Sequence, residues 1–218
     1  MGRWSTVNTM ALDKGYVLTP ERYDPRRIRQ REVGVSLNQF VDERKELLAP
    51  SMMKNMDSLL VLDTNNAKDG FLQIDGTVHE NRKIKSTKKI IRKGDVIISR
   101  LRPYLRQIGA VWGAPDLERQ NMTICVSTEF YVLKGKKEEV LWIVPFLLSD
   151  KVQEIIRAAQ EGGHHPRFNS DTLLNLHIPE KIMTHKEYLN EEVKRAAEEM
   201  HQARKRVQSL VTGAIDEC

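Results

Sequence analysis

The chain has 218 residues, a formal net charge of +5 and 40% hydrophobic residues, a composition typical of one soluble globular domain with an appendage. Its two cysteines, Cys125 and Cys218, provide neither a disulfide framework nor metal-ligand spacing, so we expect a reducing, cytoplasmic location. No stretch is apolar enough to span a membrane, and MGRWSTVNTM lacks the apolar core of a secretory signal. The basic excess modestly favours nucleic acid as a partner.

The first 57 residues are polar and rich in arginine, with RRIRQRE as their most basic run. A helical turn is predicted near Ser36–Leu48. Met52, Met53 and Met56 are expected to pack on the core, because unbranched thioethers fill irregular gaps.

From Ser58 onward the pattern is that of short β-strands separated by turns, with TNNAKDG as a loop. The predicted strands are Leu59–Leu62, Phe71–Ile74, Lys89–Ile91, Val96–Ser99, Gln107–Trp112, Met122–Val126 and Glu129–Leu133. Cys125 falls within this apolar pattern and is expected to be a core thiol. Strands at this spacing predict a strongly bent, barrel-like sheet, and the helices that follow make the fold class α+β.

The period then changes to that of helices. Val140–Leu148 is predicted to be helical despite Pro145, and Ser149 is a good N-cap for a helix over Asp150–Ala159. The inner face of that second helix is predicted from the spacing of its apolar residues, which are Val152, Ile155, Ile156 and Ala159. Gly162-Gly163 should end it, and Leu176–Ile178 should form a short strand closed by Pro179.

A heptad seam marks the last segment, which sets residues 184–218 apart from a domain over residues 1–183. The seam residues are Leu189, Val193, Ala196, Met200, Ala203, Val207, Leu210 and Ala214. A helix of about 28 residues would be about 42 Å long, more than the domain needs to cover its core. We therefore favour a protruding helix that pairs with another helix over an amphipathic helix lying on the domain.

The strongest candidate site is a basic strip. From Arg82 to Arg106 there are ten Lys or Arg residues and one acid, Asp95. We expect the Val96–Ser99 strand to deliver its arginines to an edge, where they contact phosphates and bases; these are Arg100, Arg102 and Arg106, with Tyr104 beside them. Phosphate contacts that position without specifying are expected from Lys85, Lys88, Lys89, Arg92 and Lys93. The alternative is a solvated charged edge that discourages aggregation of sheets.

HHPRFN is the second candidate, a loop whose His164, His165, Arg167 and Asn169 are potential base or phosphate donors. Phe168 is expected to pin this loop to the core. The adjacent histidines make a weak metal site, because no third ligand is indicated. Neither catalytic residues nor a cofactor are predicted, since Asp116, Glu118 and an isolated Glu129 assemble into no defensible hydrolytic site, and no phosphate loop, nucleophile elbow or HExxH motif occurs.

The order of these features resembles the target recognition domain of type I restriction–modification specificity subunits. KGDVIISRLRPYLRQIGAV is similar to its central signature, and STEFYVLKG to the strand that follows. HHPRFN, LHIPEKI and the N-terminal GYVLTPERYDP resemble further pieces, so the likeness runs from about residue 15 to 215.

The resemblance implies a DNA-reading subunit without catalytic activity. Members of that family usually carry two recognition domains separated by two long helices, which pair, set the spacing of a bipartite site and dock methyltransferase subunits. This chain resembles half of such a subunit. The implied partners are double-stranded DNA, a second copy of the chain and a methyltransferase that carries AdoMet, with a restriction subunit as a further candidate. Three alternatives stay open: pairing with a different half, a small Mg²⁺-dependent nuclease acting through Asp116 or Glu129, and an inhibitor that binds the methyltransferase but no DNA.

Overall fold

The computed structural model describes residues 34–56, 58–74, 84–114, 122–161 and 165–216, with side chains described up to residue 211. Within these ranges the strands form three separate sheets. The strands in chain order are β1 Val35–Ser36, β2 Val41–Glu43, β3 Leu47–Leu48, β4 Leu59–Leu62, β5 Ala67–Lys68, β6 Gly70–Leu72, β7 Lys88–Ile91, β8 Val96–Ser99, β9 Ile108–Ala110, β10 Thr123–Ser127, β11 Phe130–Gly135 and β12 His177–Ile178.

The largest sheet has six strands in the order β2-β11-β8-β9-β6-β5. Its central strand β8 is buried along its whole length, as expected for the β-branched run Val96–Ile98 with neighbours on both sides. A four-stranded sheet has the order β3-β7-β10-β4, in which β10 runs parallel to β4 and antiparallel to β7. The strands β1 and β12 form a small antiparallel pair.

The barrel-like expectation is wrong for the described part of the chain, because no sheet there closes on itself. The physical reason lies in two tight connections. The turn between β7 and β8 and the turn between β10 and β11 each pass the chain from the four-stranded sheet to the six-stranded sheet. β7 and β8 therefore belong to different sheets, as do β10 and β11, and they do not continue one closed surface. The α+β class is confirmed.

The predicted strands are confirmed to within two residues at most ends, but the segment before them differs. The helical turn predicted near residues 36–48 is reduced to a 3₁₀ turn at Leu37–Gln39, and β2 and β3 follow it. Of the three methionines, Met53 is buried, Met56 packs against the core cluster around it, and Met52 is exposed, which contradicts the prediction for that residue.

The helices in chain order are α1 Pro50–Met53, α2 Ile143–Leu148, α3 Asp150–Ala158, α4 Ser170–Leu174, α5 Glu180–Thr184 and α6 Lys186–Asp216. Pro145 is tolerated in α2 because it lies in the first turn, where its missing N–H would have no partner within the helix. Ser149 is confirmed as the N-cap of α3, since its hydroxyl accepts a hydrogen bond from the Val152 N–H. The glycines expected to end α3 lie outside the described residues. No described helix combines the length and hydropathy needed to cross a membrane.

The first half of α6 packs on its own domain. Leu189 and Val193 contact the main hydrophobic core, and the Asn190 side chain accepts a hydrogen bond from the backbone N–H of Trp142 at 3.3 Å. Four turns later the picture changes, because the seam residues Val207 and Leu210 are 60% and 70% exposed. The helix thus begins packed on the domain, and further along it exposes the apolar side chains of Val207 and Leu210.

A cluster around Trp112 holds α6 to the end of β9. The Trp112 indole donates a hydrogen bond to Glu198 at 2.9 Å, and the ammonium groups of Lys93 and Lys194 lie 4.4 and 4.9 Å from its ring centre. Cations at this distance are attracted to the aromatic face. Lys93, expected to be a phosphate contact, therefore lies in the junction between the helix and the domain.

Gly113 allows the closest approach at this junction. Its φ of +76° suits glycine, and a Cβ placed there would lie 2.8 Å from the Ala197 carbonyl carbon. We expect Gly113→Ala to lower the free energy of unfolding by about 2 kcal/mol or more, through left-handed strain plus displacement of α6. Gly94→Ala is a matched control, because Gly94 has φ +89° but no atom within 4 Å of the added Cβ. Urea unfolding of both variants should show the larger loss for Gly113→Ala, and equal losses would contradict this account.

Candidate nucleic-acid interface

The loop after β8 presents two arginines on left-handed backbone. The strand stops at Ser99, so Arg100 and Arg102 do not extend from one face of a continuing strand. Pro103–Leu105 instead forms a 3₁₀ turn flanked by Arg102 at φ +48° and Arg106 at φ +49°. Positive φ is uncommon for residues other than glycine and marks a conformation imposed by its surroundings.

The segment at residues 165–168 fixes this loop from the other side. The Arg102 N–H donates to the Pro166 carbonyl at 3.1 Å, and the Phe168 N–H donates to the Arg100 carbonyl at 3.3 Å. Phe168 is buried, and its carbonyl accepts a hydrogen bond from the Tyr131 hydroxyl at 2.8 Å, so its expected role as a pin in the core is confirmed. The two basic segments predicted separately thus form one surface.

Glu129 joins the two segments through their side chains. Its carboxylate accepts hydrogen bonds from Arg100 Nε at 3.0 Å, from Arg167 Nε at 2.9 Å and from Arg167 Nη2 at 2.7 Å. These bonds, chiefly those from Arg167, lower the pKa of the Glu129 carboxyl to about 2. The sequence predicts an isolated strand residue at Glu129, but the residue lies in the turn before β11 and has two cationic partners.

The outer rim of the loop is accessible. Arg102 is exposed, and no described residue forms an ion pair with its guanidinium. Tyr104 is 54% exposed, with Leu105 beside it. Arg106 donates to Asp150 at 2.5 Å, at the start of α3. An unpaired arginine beside an exposed aromatic ring is a combination that can grip phosphate and stack on or bond to a base.

The polar loop in TNNAKDG adjoins the same surface. Gln107, which follows Arg106, is buried and donates from its amide to Asn65 at 3.2 Å. Asp63 and Asn66 form a reciprocal capping box that stiffens the turn between them. Asn65 itself is exposed, so this loop can contribute to recognition next to the arginines.

The remaining predicted phosphate contacts lie at two opposite ends of the domain. Lys88 and Lys89 lie at the end of β7 nearest Glu129, but the Lys89 ammonium is taken up by Glu43 at 2.9 Å and the Phe130 carbonyl at 2.7 Å. Lys85 precedes that strand and is exposed.

Arg92 lies at the opposite end of β8, together with the single acid of the strip. Asp95 is buried, accepts two hydrogen bonds from Arg44 at 2.8 and 2.9 Å and caps the turn through the Arg92 N–H. The Arg92 guanidinium pairs with Glu46 at 2.6 Å. The basic strip is therefore not one surface, because β8 separates Arg92 and Lys93 from the arginine loop.

Two further predicted contacts have different positions. Asn169 is the N-cap of α4, and its side-chain oxygen accepts from the Thr172 N–H at 2.8 Å. His165 is exposed, and its carbonyl accepts a bond from Arg167. His164, Asp116 and Glu118 lie outside the described residues. Within the described ranges, no group of three His, Cys, Asp or Glu residues is placed to hold a metal ion.

Cys125 is the buried thiol that the sequence predicts. It lies in β10 with no exposed surface, and burial raises its pKa to about 12. It therefore stays protonated and behaves as a small apolar side chain.

The lowered pKa of Glu129 predicts an acid-dependent loss of stability. Because folding lowers this pKa from 4.5 to about 2, the ionised carboxylate stabilises the folded protein above pH 4.5, and the effect is lost as the pH falls towards 2. We expect the melting temperature of Glu129→Gln to lie below that of the wild type near neutral pH and to converge with it between pH 4.5 and 2. Thermal unfolding followed by circular dichroism measures this, and a constant offset at all pH values would contradict it.

Comparison with solved structures places this geometry on a known fold. One similar chain comes from work on complex assembly and conformational transition of the type I R-M system, with a TM-score of 0.55 and 23% identity. The fold is shared. The HsdS subunit from Thermoanaerobacter tengcongensis is also similar, with a TM-score of 0.52 and 22% identity. In both cases 84% of this chain is covered but only 48% of the other, so the chain spans about half the length of these HsdS-like relatives. No protein-family model and no curated protein matches the sequence.

Sequence reasoning singled out the arginines of this candidate surface but not the polar partners that fix it. Two are the acids Glu129 and Asp150, which pair with arginines, and the third is Asn65, which is hydrogen-bonded to Gln107. All three are far from their partners in sequence, so no spacing rule links them. The one available signal was the acid in STEFYVLKG, which comes directly before a predicted strand.

Proposed function

We propose that this chain is a DNA sequence-recognition subunit of the type I specificity class, without catalytic activity of its own, which reads one half of a bipartite site. The observation that carries the proposal is the surface formed by Arg100, Arg102, Tyr104, Arg106 and Arg167 on a fold shared with an HsdS subunit. Four arginines and two acids, Glu129 and Asp150, leave this surface positively charged.

The arginines have different parts in this proposal. Arg102 and Tyr104 are exposed and contact DNA directly, whereas Arg100 and Arg167 are oriented by Glu129 and suit base edges, since bidentate arginine–guanine contacts are common. Lys85 and Lys88 contribute phosphate contacts at the same end of the domain. Asn169 contributes by capping the helix that follows the recognition loop.

The same proposal assigns the exposed half of α6 to assembly. The chain covers 48% of each similar structure, and Val207, Leu210 and Val211 are exposed on one helix. A second copy would supply the missing half and give two identical readers, hence a palindromic bipartite site. The methyltransferase subunit would dock on the helices of that dimer.

A nuclease role for Glu129 is not supported by the geometry, because both carboxylate oxygens accept hydrogen bonds from arginines. Those three bonds use most of the acceptor capacity of the carboxylate, and the two guanidinium charges beside it oppose the approach of a metal cation.

The proposal is tested by incubating the full-length chain with a pool of duplexes that carry a randomised segment, then sequencing the bound fraction after repeated selection. We expect enrichment of a defined sequence and a binding constant that falls steeply with salt. Failure to retain any duplex at low salt would overturn the DNA-binding role. Retention without enrichment would overturn the recognition role.

A further inference from the structure

Hydrogen bonds fix the backbone of Glu129, whose side chain in turn binds the two arginines. Its N–H donates to the Ser127 hydroxyl at 3.3 Å, and its carbonyl accepts from the Arg100 N–H at 2.9 Å. The Glu129 side chain is 22% exposed, less than those of Arg100 and Arg167 at 37% and 42%. The carboxylate thus lies deeper in the protein than the two guanidinium groups that it binds.

A carboxylate at this position opposes general DNA binding. Phosphate attraction acts on every sequence alike, and each acid within a phosphate-binding surface weakens it. What the acid provides instead is a fixed orientation of the two guanidinium groups. The carboxylate takes one donor from Arg100 and two from Arg167, and Arg167 Nη1 donates to the His165 carbonyl as well. The remaining donors of each guanidinium therefore keep a fixed direction.

We propose that Glu129 is a specificity-determining positioning residue, which aims Arg100 and Arg167 at base edges and prevents them from acting as free phosphate-binding charges. This inference rests on the proposed function and deepens it. Two segments of the chain meet at this one carboxylate, since Arg100 follows β8 and Arg167 forms a β-bridge with Leu101, the next residue.

The structure contains a matched comparison for this residue. Glu46 also accepts hydrogen bonds from two arginines, Arg44 at 2.8 Å and Arg92 at 2.6 Å, but it lies at the opposite end of β8. Replacing either glutamate by glutamine removes one negative charge and one two-arginine contact. Only Glu129→Gln does so at the proposed DNA surface.

The experiment measures the affinity of the full-length chain for its selected duplex and for a scrambled duplex over a range of salt concentrations. For Glu129→Gln we expect the ratio of these affinities to fall about tenfold or more, the amount a lost bidentate base contact accounts for. The affinity for the scrambled duplex should rise, with a salt slope steeper by roughly 0.9 for each additional phosphate that the released arginines neutralise. Glu46→Gln should leave the ratio unchanged.

Glu129→Asp separates positioning from charge, because it keeps the charge but withdraws the carboxylate by one methylene group. It should lower the ratio while leaving the salt slope as in the wild type. If thermal unfolding shows that the glutamine variant does not fold, the aspartate variant alone tests the inference.

The outcomes distinguish this inference from the proposed function. A wild-type chain that selects no sequence overturns the proposed function and the inference with it. A wild-type chain that selects, with both Glu129 variants selecting equally well, overturns only the inference. An equal fall of the ratio in Glu46→Gln would also overturn it, because the effect would then not be local.

Discussion

Replacing Arg102 by alanine should weaken binding to the selected duplex about tenfold or more and reduce the salt dependence. Arg102 is exposed, and none of the described residues pairs with its guanidinium, so the change removes the proposed DNA contact without breaking an ion pair within the protein. Fluorescence anisotropy at several salt concentrations measures both quantities. A slope reduced by about one, with uniform weakening across sequences, would identify a phosphate contact, whereas relaxed selectivity at one position would identify a base contact.

Lys137→Ala is the control for the loss of one positive charge. Lys137 is exposed and lies beyond Gly135, at the end of β11 opposite the turn that carries Glu129. We expect it to change affinity far less than Arg102→Ala does. Equal weakening by both variants would show that only the overall charge matters, and this would contradict the assignment of the loop as the interface.

The second large effect is expected on assembly, from glutamate at both Val207 and Leu210. The wild-type chain should have a mass about twice 25.2 kDa in solution, and the double variant should be a monomer. Loss of two buried apolar side chains from an interface costs about 3 kcal/mol or more, roughly two orders of magnitude in the dimer dissociation constant. Light scattering on size-exclusion chromatography gives the masses.

Lys205→Glu is the matched control, since it also shifts the net charge by two units but lies across the helix from the seam. It should stay dimeric. Val193, an earlier seam residue, is less informative, because it packs against the core of its own domain and its substitution would destabilise the fold. A wild-type monomer at all concentrations tested would contradict the assembly proposal.

The strands and caps were predictable because their signals are local. Val96–Ile98 is a β-branched apolar run beside a Gly-Asp turn, and it forms the predicted strand with the predicted ends. Ser149 caps α3 through an interaction within one helical turn. Such features depend on residues that are neighbours in sequence, and the sequence pattern therefore predicts them correctly.

The candidate site was predictable only in part, because its arrangement depends on distant residues. The strip from Arg82 to Arg106 looks continuous in sequence, but the strand within it carries Arg92 and Lys93 to one end and Arg102 to the other. Similarly, an unbroken heptad pattern on α6 did not reveal that its first half is already covered by the core around Trp142. The sequence also does not show whether the strands close into a barrel, since that depends on which sheet each strand joins.

β8 separates the two parts of the domain to which we assign different roles. The helix junction with Lys93 and Trp112 lies at one end and the arginine loop at the other, with the buried residues Val96–Ser99 between them, about 13 Å of strand. We expect residues 100–106 and 165–167 to be exchangeable together for those of another recognition domain without loss of assembly. New target sequences could then arise by replacement of two short loops, while the geometry of the complex is inherited unchanged.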